Sequence, residues 1–234
     1  MKTLFKAAGL MVALFVLALP AVAGASSWNI DADHTSIQFK VRHLMVSNVK
    51  GVFGKVQGVA EIDDKDIAKS RVNVTIDTDS INTGVAKRDQ HLKSPDFFDV
   101  AKFPTMTFVS TKVTRNGKNK LKVTGNLTIH GITRLVQLDL EGPTGESKDP
   151  WGNLRRGVSA TTKINRKDFG LVWNKALETG GVMVGEEVAI SLEVEMVKDQ
   201  KKYLPGDNRP GGGESGGRLD TREQQAICTA CQVT

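Results

Sequence analysis

Arg88, Asp89 and His91 are the residues whose types and spacing are best suited to chemistry. A guanidinium and an imidazole in one short segment can together hold an anionic or polar head group. The alternative is a structural clamp, in which Asp89 pairs with an arginine and fixes the loop. A second cluster of this kind, from Asn165 to Gly170, is open to the same two interpretations.

The sequence lacks the usual patterns for metal binding and nucleophilic catalysis. No histidine lies three or four residues from another, so a zinc site would need tertiary convergence. The four histidines are His34, His43, His91 and His130. Cys228 and Cys231 have no second pair to complete a zinc site and no following histidine for haem attachment. With no nucleophile elbow or phosphate-binding glycine loop either, we predict no enzyme activity, no metal and no cofactor.

Residues 1–25 have the pattern of a secretory signal peptide. Lys2 and Lys6 precede an apolar run that ends at Leu19, and small residues suited to signal peptidase follow. Removal of this segment takes away two lysines and no acidic residue, which lowers the formal net charge from +6 to +4. No basic cluster interleaves with aromatic residues, so a nucleic-acid partner is not expected. We predict a soluble, exported protein.

Most of the remaining chain has the alternation of half-buried β-strands. Apolar and polar residues alternate strictly from Ile37 to Arg42. The same alternation returns in seven later segments, which are 56–62, 72–77, 106–113, 121–129, 136–140, 158–164 and 188–196. Asn116-Gly117 predicts one hairpin, and His130-Gly131 a second. About eight strands with one apolar face each indicate an all-β antiparallel fold; their periodicity leaves open a sandwich or an up-and-down barrel.

Two segments depart from the strand pattern. Residues 77–104 interrupt it and predict a short helical lid, whose helix begins at Ser94 because a proline and an aspartate follow this hydroxyl. Phe97 and Phe98 are adjacent, so one ring is expected to plug the interior while the other packs sideways. Residues 201–234 are rich in glycine and proline and predict a disordered tail, which leaves one domain at 26–200.

The order and spacing of many short motifs resemble those of the YceI-like family of polyisoprenoid-binding, lipocalin-like proteins. The motifs are Trp28 to Asp31, His34 to Phe39, Val41 to Leu44, Gly51 to Gly54, Ser80 to Gly84, Arg88-Asp89, His91-Leu92, Phe97 to Asp99, Phe103-Pro104, Gly125 to Thr128, Asn165-Arg166 and Asp168 to Gly170. The resemblance implies an extended antiparallel up-and-down β-barrel around an apolar interior that accommodates a long isoprenoid or fatty chain. It also implies the periplasm of a Gram-negative bacterium and, often, a homodimer. The glycine-rich, cysteine-bearing tail is not part of the family pattern.

The resemblance and the strand alternation together predict the binding residues. The predicted apolar bore consists of Ile37, Phe39, Val41, Val74, Ile76, Phe97, Met106, Phe108, Leu127, Ile129, Ile190 and Leu192. The predicted polar mouth consists of Arg42, His43, Arg88 and His91.

We therefore predict a non-enzymatic binding protein that sequesters or carries an amphipathic long-chain lipid. This lipid would be a polyisoprenoid, an isoprenoid quinone or a fatty-acid derivative, and its delivery would involve transient contact with a membrane or a membrane protein. The alternative is a filled-core sandwich or barrel that serves as a protein-interaction module in a stress response, without a lipid ligand. The sequence leaves open which lipid is bound and in which direction it moves.

Overall fold

Eleven β-strands and one α-helix make up the part of the chain that the computed structural model describes, residues 24–178 and 180–199. The strands are β1 (Ser26–His43), β2 (Ser47–Phe53), β3 (Val56–Ile62), β4 (Arg71–Asp77), β5 (Ile81–Asn82), β6 (Thr105–Arg115), β7 (Lys120–Ile129), β8 (Ile132–Glu141), β9 (Ser147–Lys148), β10 (Leu154–Asn165) and β11 (Val184–Lys198). The helix α1 is Ala86–Lys93, and three short 3₁₀ turns lie at Ile67–Lys69, Thr78–Ser80 and Arg166–Phe169.

Eight of these strands form a closed antiparallel ring. Its order is β1-β3-β4-β6-β7-β8-β10-β11, so the ring strands follow one another in chain order. The ring closes because β1 pairs with β11, from Trp28 opposite Lys198 to His43 opposite Val184. The first part of β1 pairs with β3 and its last part with β2. The predicted all-β, up-and-down barrel is therefore confirmed, and the sandwich that periodicity left open is excluded.

Both predicted hairpins connect neighbouring ring strands. The backbone N–H of Asn116 donates to the carbonyl oxygen of Lys120 over 2.8 Å and closes the β6–β7 turn, and Gly117 has a φ of 135°. Between β7 and β8, His130 and Gly131 have φ values of 51° and 73°. Two consecutive residues with positive φ make the tight turn whose twist matches that of the flanking strands.

The short helix of the lid segment is confirmed, but its predicted start at Ser94 is wrong. Ser94 follows the last residue of α1, and its backbone N–H donates to the carbonyl oxygen of His91 over 3.1 Å. Its backbone is extended, with a ψ of 170°, because the ring of the following proline disfavours helical geometry in the residue before it. The proline therefore ends α1.

The two adjacent phenylalanines diverge, as expected from their positions. The Phe98 ring meets the ring of Phe53 edge-on at a centroid distance of 5.8 Å. The Phe97 ring packs instead against Trp173 at 5.2 Å. The chain after α1 thus fastens the helix to the barrel in two directions.

The alternating strand directions give the barrel two different ends. We call the end that carries α1 and the Arg166–Phe169 turn the helix end. The other, which we call the Pro143 end, carries the Ile67–Lys69 turn, the β6–β7 hairpin and the loop after β8. These ends differ in packing and in charge.

Two predicted segments fall mainly or wholly outside the described residues. They are the signal peptide at 1–25, of which only residues 24 and 25 are described, and the tail at 201–234 with Cys228 and Cys231. Within the described residues, no helix has the length and hydropathy needed to cross a membrane.

Candidate ligand cavity

The barrel interior holds a cavity of about 190 Å³. The surface of its walls is almost entirely apolar, because most inward positions of the ring strands carry valine, isoleucine or leucine. A methylene group occupies roughly the 30 Å³ that a water molecule has in the liquid, so the cavity holds about six methylene groups. That volume is smaller than the roughly 300–1,000 Å³ of pockets that take a whole drug-sized ligand.

Seven of the twelve residues predicted for the bore line this cavity. They are Ile37, Val74, Ile76, Phe108, Leu127, Ile190 and Leu192. Other lining residues missed in the prediction follow the same alternation, namely Ile30, Val56, Ala60, Ile62, Val72, Val113, Leu121, Val123, Val136, Leu138, Leu140, Val158, Ala160, Val194 and Met196. A strict period-two reading of every strand would have found most of them.

The other five predicted bore residues lie outside the cavity lining, mostly toward the helix end. Met106 and Ile129 are buried in a packed hydrophobic layer, whereas Phe97 contacts Trp173. The ring of Phe39 packs at a tilt against the ring of Phe53, with a centroid distance of 5.7 Å, and Val41 is half-buried in β1. The cavity therefore extends less far toward the helix end than the predicted bore.

This packed layer separates the cavity from α1. Its buried members are Phe53, Ile81, Met106, Ile129, Phe169 and Leu171, and Leu92 and Phe98 from the lid segment pack against them. The same cluster includes Ile37 and Val56, which face the cavity on the other side. The lid segment thus fills the helix end with side chains.

Arg88 and Asp89 are joined through Thr83. The Nε of Arg88 donates to Thr83 Oγ1 over 2.7 Å, and its Nη2 donates to the Thr83 carbonyl oxygen over 2.9 Å. Asp89 Oδ1 accepts from the Thr83 backbone N–H at 3.0 Å and from the Thr83 hydroxyl. This geometry resembles the structural clamp more than a head-group site, with a threonine as the shared partner in place of an arginine.

The other predicted mouth residues also lie at the helix end. His91 Nε2 is 2.9 Å from Asp96 Oδ2, and its ring packs between two aromatic rings. Arg42 donates through Nη2 to the carbonyl oxygen of Met45 over 2.8 Å, and His43 pairs in the ladder with both β2 and β11. None of the four mouth residues lines the cavity formed by the described residues. Their role in binding stays a prediction.

The second cluster contains a buried arginine held by backbone carbonyl groups. Arg166 is only 4% exposed, and its guanidinium donates to the carbonyl oxygens of Gly185 over 2.9 Å and Val184 over 3.2 Å, and to that of Leu171. Burial lowers the pKa of Arg166, and the Glu186 carboxylate opposes that effect. Arg166 therefore fastens the turn after β10 to β11 and takes a structural role.

A separate polar cleft of about 250 Å³ adjoins the cavity at the Pro143 end. Ile67, Leu121 and Pro143 line both spaces. The charged side chains that line the cleft are Asp64, Arg115, Lys118 and Arg156. Sequence reasoning missed these residues because they come from three distant segments, and only the closed barrel brings them together.

Arg156 is the most buried of these charged groups. Its side chain is 9% exposed and forms a bidentate pair with Asp64, with N–O distances of 2.7 Å and 3.1 Å. The guanidinium carbon lies 4.9 Å from the ring centroid of Trp28, which is fully buried. A bidentate carboxylate and an aromatic face together fix the orientation of the guanidinium.

Asp31, His34 and Glu195 offer ligand atoms within 4.8 Å of one another, close enough for a metal ion. The Nη1 of Arg155, however, lies 2.6 Å from Asp31 Oδ2 and 2.5 Å from Glu195 Oε1. The arginine therefore already supplies the cation that these carboxylates need. We assign this group to the structure of the barrel wall.

Asp149 completes the ion network around Arg155. Burial alone would raise the pKa of Asp149, but hydrogen bonds from Arg155 and Asn153 and from the backbone of Trp151 outweigh it and lower the pKa to about 2. The same contact with Asp149, followed by those with the other two carboxylates, raises the pKa of Arg155.

The closed antiparallel barrel with an apolar interior defines a lipocalin-like architecture. The YceI-like domain family matches residues 28–196, and the chain belongs to this family. A UPF0312 protein of Vibrio parahaemolyticus is 44% identical over 172 residues, which cover 73% of this chain and 88% of the relative. A UPF0312 protein of Staphylococcus aureus is 42% identical over 171 residues, covering 73% and 96%.

Solved structures share the barrel. The YCEI protein of Campylobacter jejuni is 34% identical and superposes with a TM-score of 0.57. The superposition covers 68% of this chain and 90% of the Campylobacter protein. Burkholderia cenocepacia BcnA has a TM-score of 0.61 at 23% identity, covering 71% and 98%. A polyisoprenoid binding domain from Saccharophagus degradans has a TM-score of 0.53 at 16% identity, covering 74% and 99%. At these identities the last two comparisons support the fold alone.

Proposed function

We propose that the protein binds the apolar chain of a long-chain lipid in the barrel interior. The observation that carries this proposal is the apolar wall of the 190 Å³ cavity. Such a wall offers few hydrogen-bonding groups, so it favours a ligand segment made of carbon and hydrogen. A polyisoprenoid, an isoprenoid quinone and a fatty-acid derivative each provide a segment of this kind.

The volume of the cavity limits how much of the chain it can hold. Removing each methylene group from water contributes about 0.8 kcal/mol, so six groups contribute about 5 kcal/mol. A longer chain has to displace wall side chains or continue beyond the cavity. At the helix end, the packed layer opposes such an extension. The Pro143 end is the remaining direction, because there the cavity adjoins the polar cleft.

We further propose that the protein acts as a carrier after export to the periplasm, without catalysing a reaction on the lipid. The lysines and apolar run of the first 25 residues support export. Homodimer formation and transient contact with a membrane or a membrane protein stay predictions.

Native mass spectrometry of the full exported chain, followed by denaturation and identification of any released molecule, tests the proposal. We expect a long-chain species at up to one copy per protein. Because host lipid can be lost during purification, the same protein is then titrated with farnesol by calorimetry. A bare mass together with no heat of binding would refute lipid binding and favour the protein-interaction module.

A further inference from the structure

We propose that the polar cleft at the Pro143 end binds the phosphate head group of an isoprenoid lipid whose chain lies in the cavity. This inference rests on the proposed function and assigns the two ends of the ligand to two adjoining spaces. The head group would then lie at the end of the barrel opposite to Arg88 and His91, which the sequence predicted for the polar mouth.

The first argument is that the two spaces adjoin each other. Ile67, Leu121 and Pro143 line both the apolar cavity and the polar cleft. A chain that leaves the cavity past these three residues enters a space lined by charged side chains and loop backbone. The change from apolar to polar surroundings matches the change along an amphipathic lipid.

The second argument is the charge of the cleft. Three cationic side chains line the cleft, those of Arg115, Lys118 and Arg156, together with the carboxylate of Asp64. Arg156 already pairs with two carboxylates, those of Asp64 and Glu146. The side chains of Arg115 and Lys118 are exposed and have no hydrogen-bond or ion-pair partner among the described residues. Two unpaired cations beside an apolar cavity favour an anionic group, and arginine matches phosphate geometry well.

The third argument is an unsatisfied donor. The Nε of Arg156 is buried and has no hydrogen-bond partner among the described residues. Its guanidinium is held by Asp64, by Glu146 at 3.4 Å and by the face of Trp28. A buried guanidinium donor without an acceptor costs free energy, and an oxygen acceptor brought within hydrogen-bond distance of this Nε would remove that cost.

The helix end lacks the corresponding features. Arg88 already donates to two oxygen atoms of Thr83, and the packed layer lies between it and the cavity. A head group at Arg88 would therefore have no direct path to a chain in the cavity. The observations favour the Pro143 end.

The test uses the full chain, calorimetric titration and three probes: farnesyl phosphate, farnesol and inorganic phosphate. The variants are Arg115→Gln with Lys118→Gln, the competing Arg88→Gln, and Lys112→Gln as a control. Lys112 is exposed on β6 and lines neither the cavity nor the cleft. Lys112→Gln therefore removes one positive charge, as Arg88→Gln does, without changing the lining of the cavity or the cleft. Thermal unfolding verifies that each variant folds.

We expect farnesyl phosphate to bind the unmodified protein about tenfold more tightly than farnesol, since charge-assisted hydrogen bonds are among the stronger polar contacts. The double variant should lose most of this difference and leave farnesol binding unchanged, while Arg88→Gln and Lys112→Gln should retain it. Inorganic phosphate alone should bind far more weakly than farnesyl phosphate.

Three outcomes would overturn the assignment, and a fourth would refute the proposed function. Loss of the difference in Arg88→Gln would place the head group at the helix end, and equal binding of farnesol and farnesyl phosphate would remove the head-group site while leaving chain binding intact. Inorganic phosphate that binds as tightly as farnesyl phosphate would show a free-phosphate site. Binding of neither farnesol nor farnesyl phosphate would instead refute the proposed function itself.

Discussion

Replacing Ala160 with phenylalanine is the most direct test of whether the lipid chain occupies the barrel interior. Ala160 is 5% exposed, lines the cavity and lies in β10 between Leu140 of β8 and Leu192 of β11. The added ring therefore points into the cavity from the middle of its wall. Thr161 is the next residue, exposed on the outer face, so Thr161→Phe adds the same ring outside the barrel.

The expected effect follows from the cavity volume. The added ring has roughly the volume of three methylene groups, about half of what 190 Å³ can hold. At about 0.8 kcal/mol per methylene group, the loss of binding free energy is about 2.4 kcal/mol. This corresponds to a dissociation constant for farnesol that is roughly fiftyfold higher.

Calorimetric titration with farnesol measures this constant, and urea unfolding measures stability in parallel. Because the ring enters existing space, Ala160→Phe should lower the free energy of unfolding by less than the ~1–3 kcal/mol typical of overpacked cores. Thr161→Phe should leave farnesol binding unchanged. A folded Ala160→Phe protein that binds farnesol as tightly as the unmodified protein would refute a chain inside the cavity.

Three further predictions concern the barrel wall. Gly125→Ala should lower the unfolding free energy in urea by about 1–3 kcal/mol, because its Cβ would lie 2.4 Å from Phe108 Cζ. A Cβ added at Gly145 would have no atom within 4 Å, so Gly145→Ala should change the unfolding free energy by less than about 0.5 kcal/mol. Equal effects of Gly125→Ala and Gly145→Ala would contradict the clash with Phe108. Arg155→Met should cost about 3 kcal/mol, since it leaves three carboxylates without their cation, and a neutral result would show that the network adds no stability. The pKa of Asp149 lies at about 2 instead of 3.8, so its contribution is present above pH 3.8 and is lost as the pH falls toward 2. In Asp149→Asn, the free energy of unfolding should fall less steeply between pH 3.8 and pH 2. An unchanged pH dependence of the unfolding free energy would argue against the shifted pKa.

The strands were predictable because their signal is local. In a half-buried strand, side chains alternate between the interior and solvent, and that rule places Ile37, Val74 and Leu192 on the apolar face of their strands. The hairpin at Asn116-Gly117 was equally local, since residues that tolerate positive φ mark a tight turn. Barrel closure is not local, and it came from the family resemblance.

The packing of the two ends was not predictable from local patterns. Whether Met106 faces a cavity or a filled layer depends on Leu92 and Phe98, which reach the barrel only after the lid segment folds over it. The start of the helix was misplaced because Ser94-Pro95 is compatible with either helix terminus. The extended geometry imposed before proline determined the outcome.

The charged residues illustrate the same limit. Arg88 and His91 attracted a functional interpretation because they are close in sequence, yet each has a structural partner within eight residues. Arg115 and Arg156 are 41 positions apart in the sequence and line one cleft. Sequence proximity therefore indicated Arg88 and His91 as a binding site, whereas proximity in the barrel indicates Arg115 and Arg156.

The asymmetry of the two ends constrains the orientation of the proposed ligand. A chain segment of about six methylene groups fills the cavity, and the packed layer stops it at the helix end. The remainder of a longer lipid must therefore pass toward the Pro143 end, where Arg115 and Lys118 can neutralise an anionic head group. Chain length then matters little once the cavity is full, whereas head-group charge continues to affect affinity. A series of prenyl phosphates should accordingly gain affinity with length only until the cavity is filled.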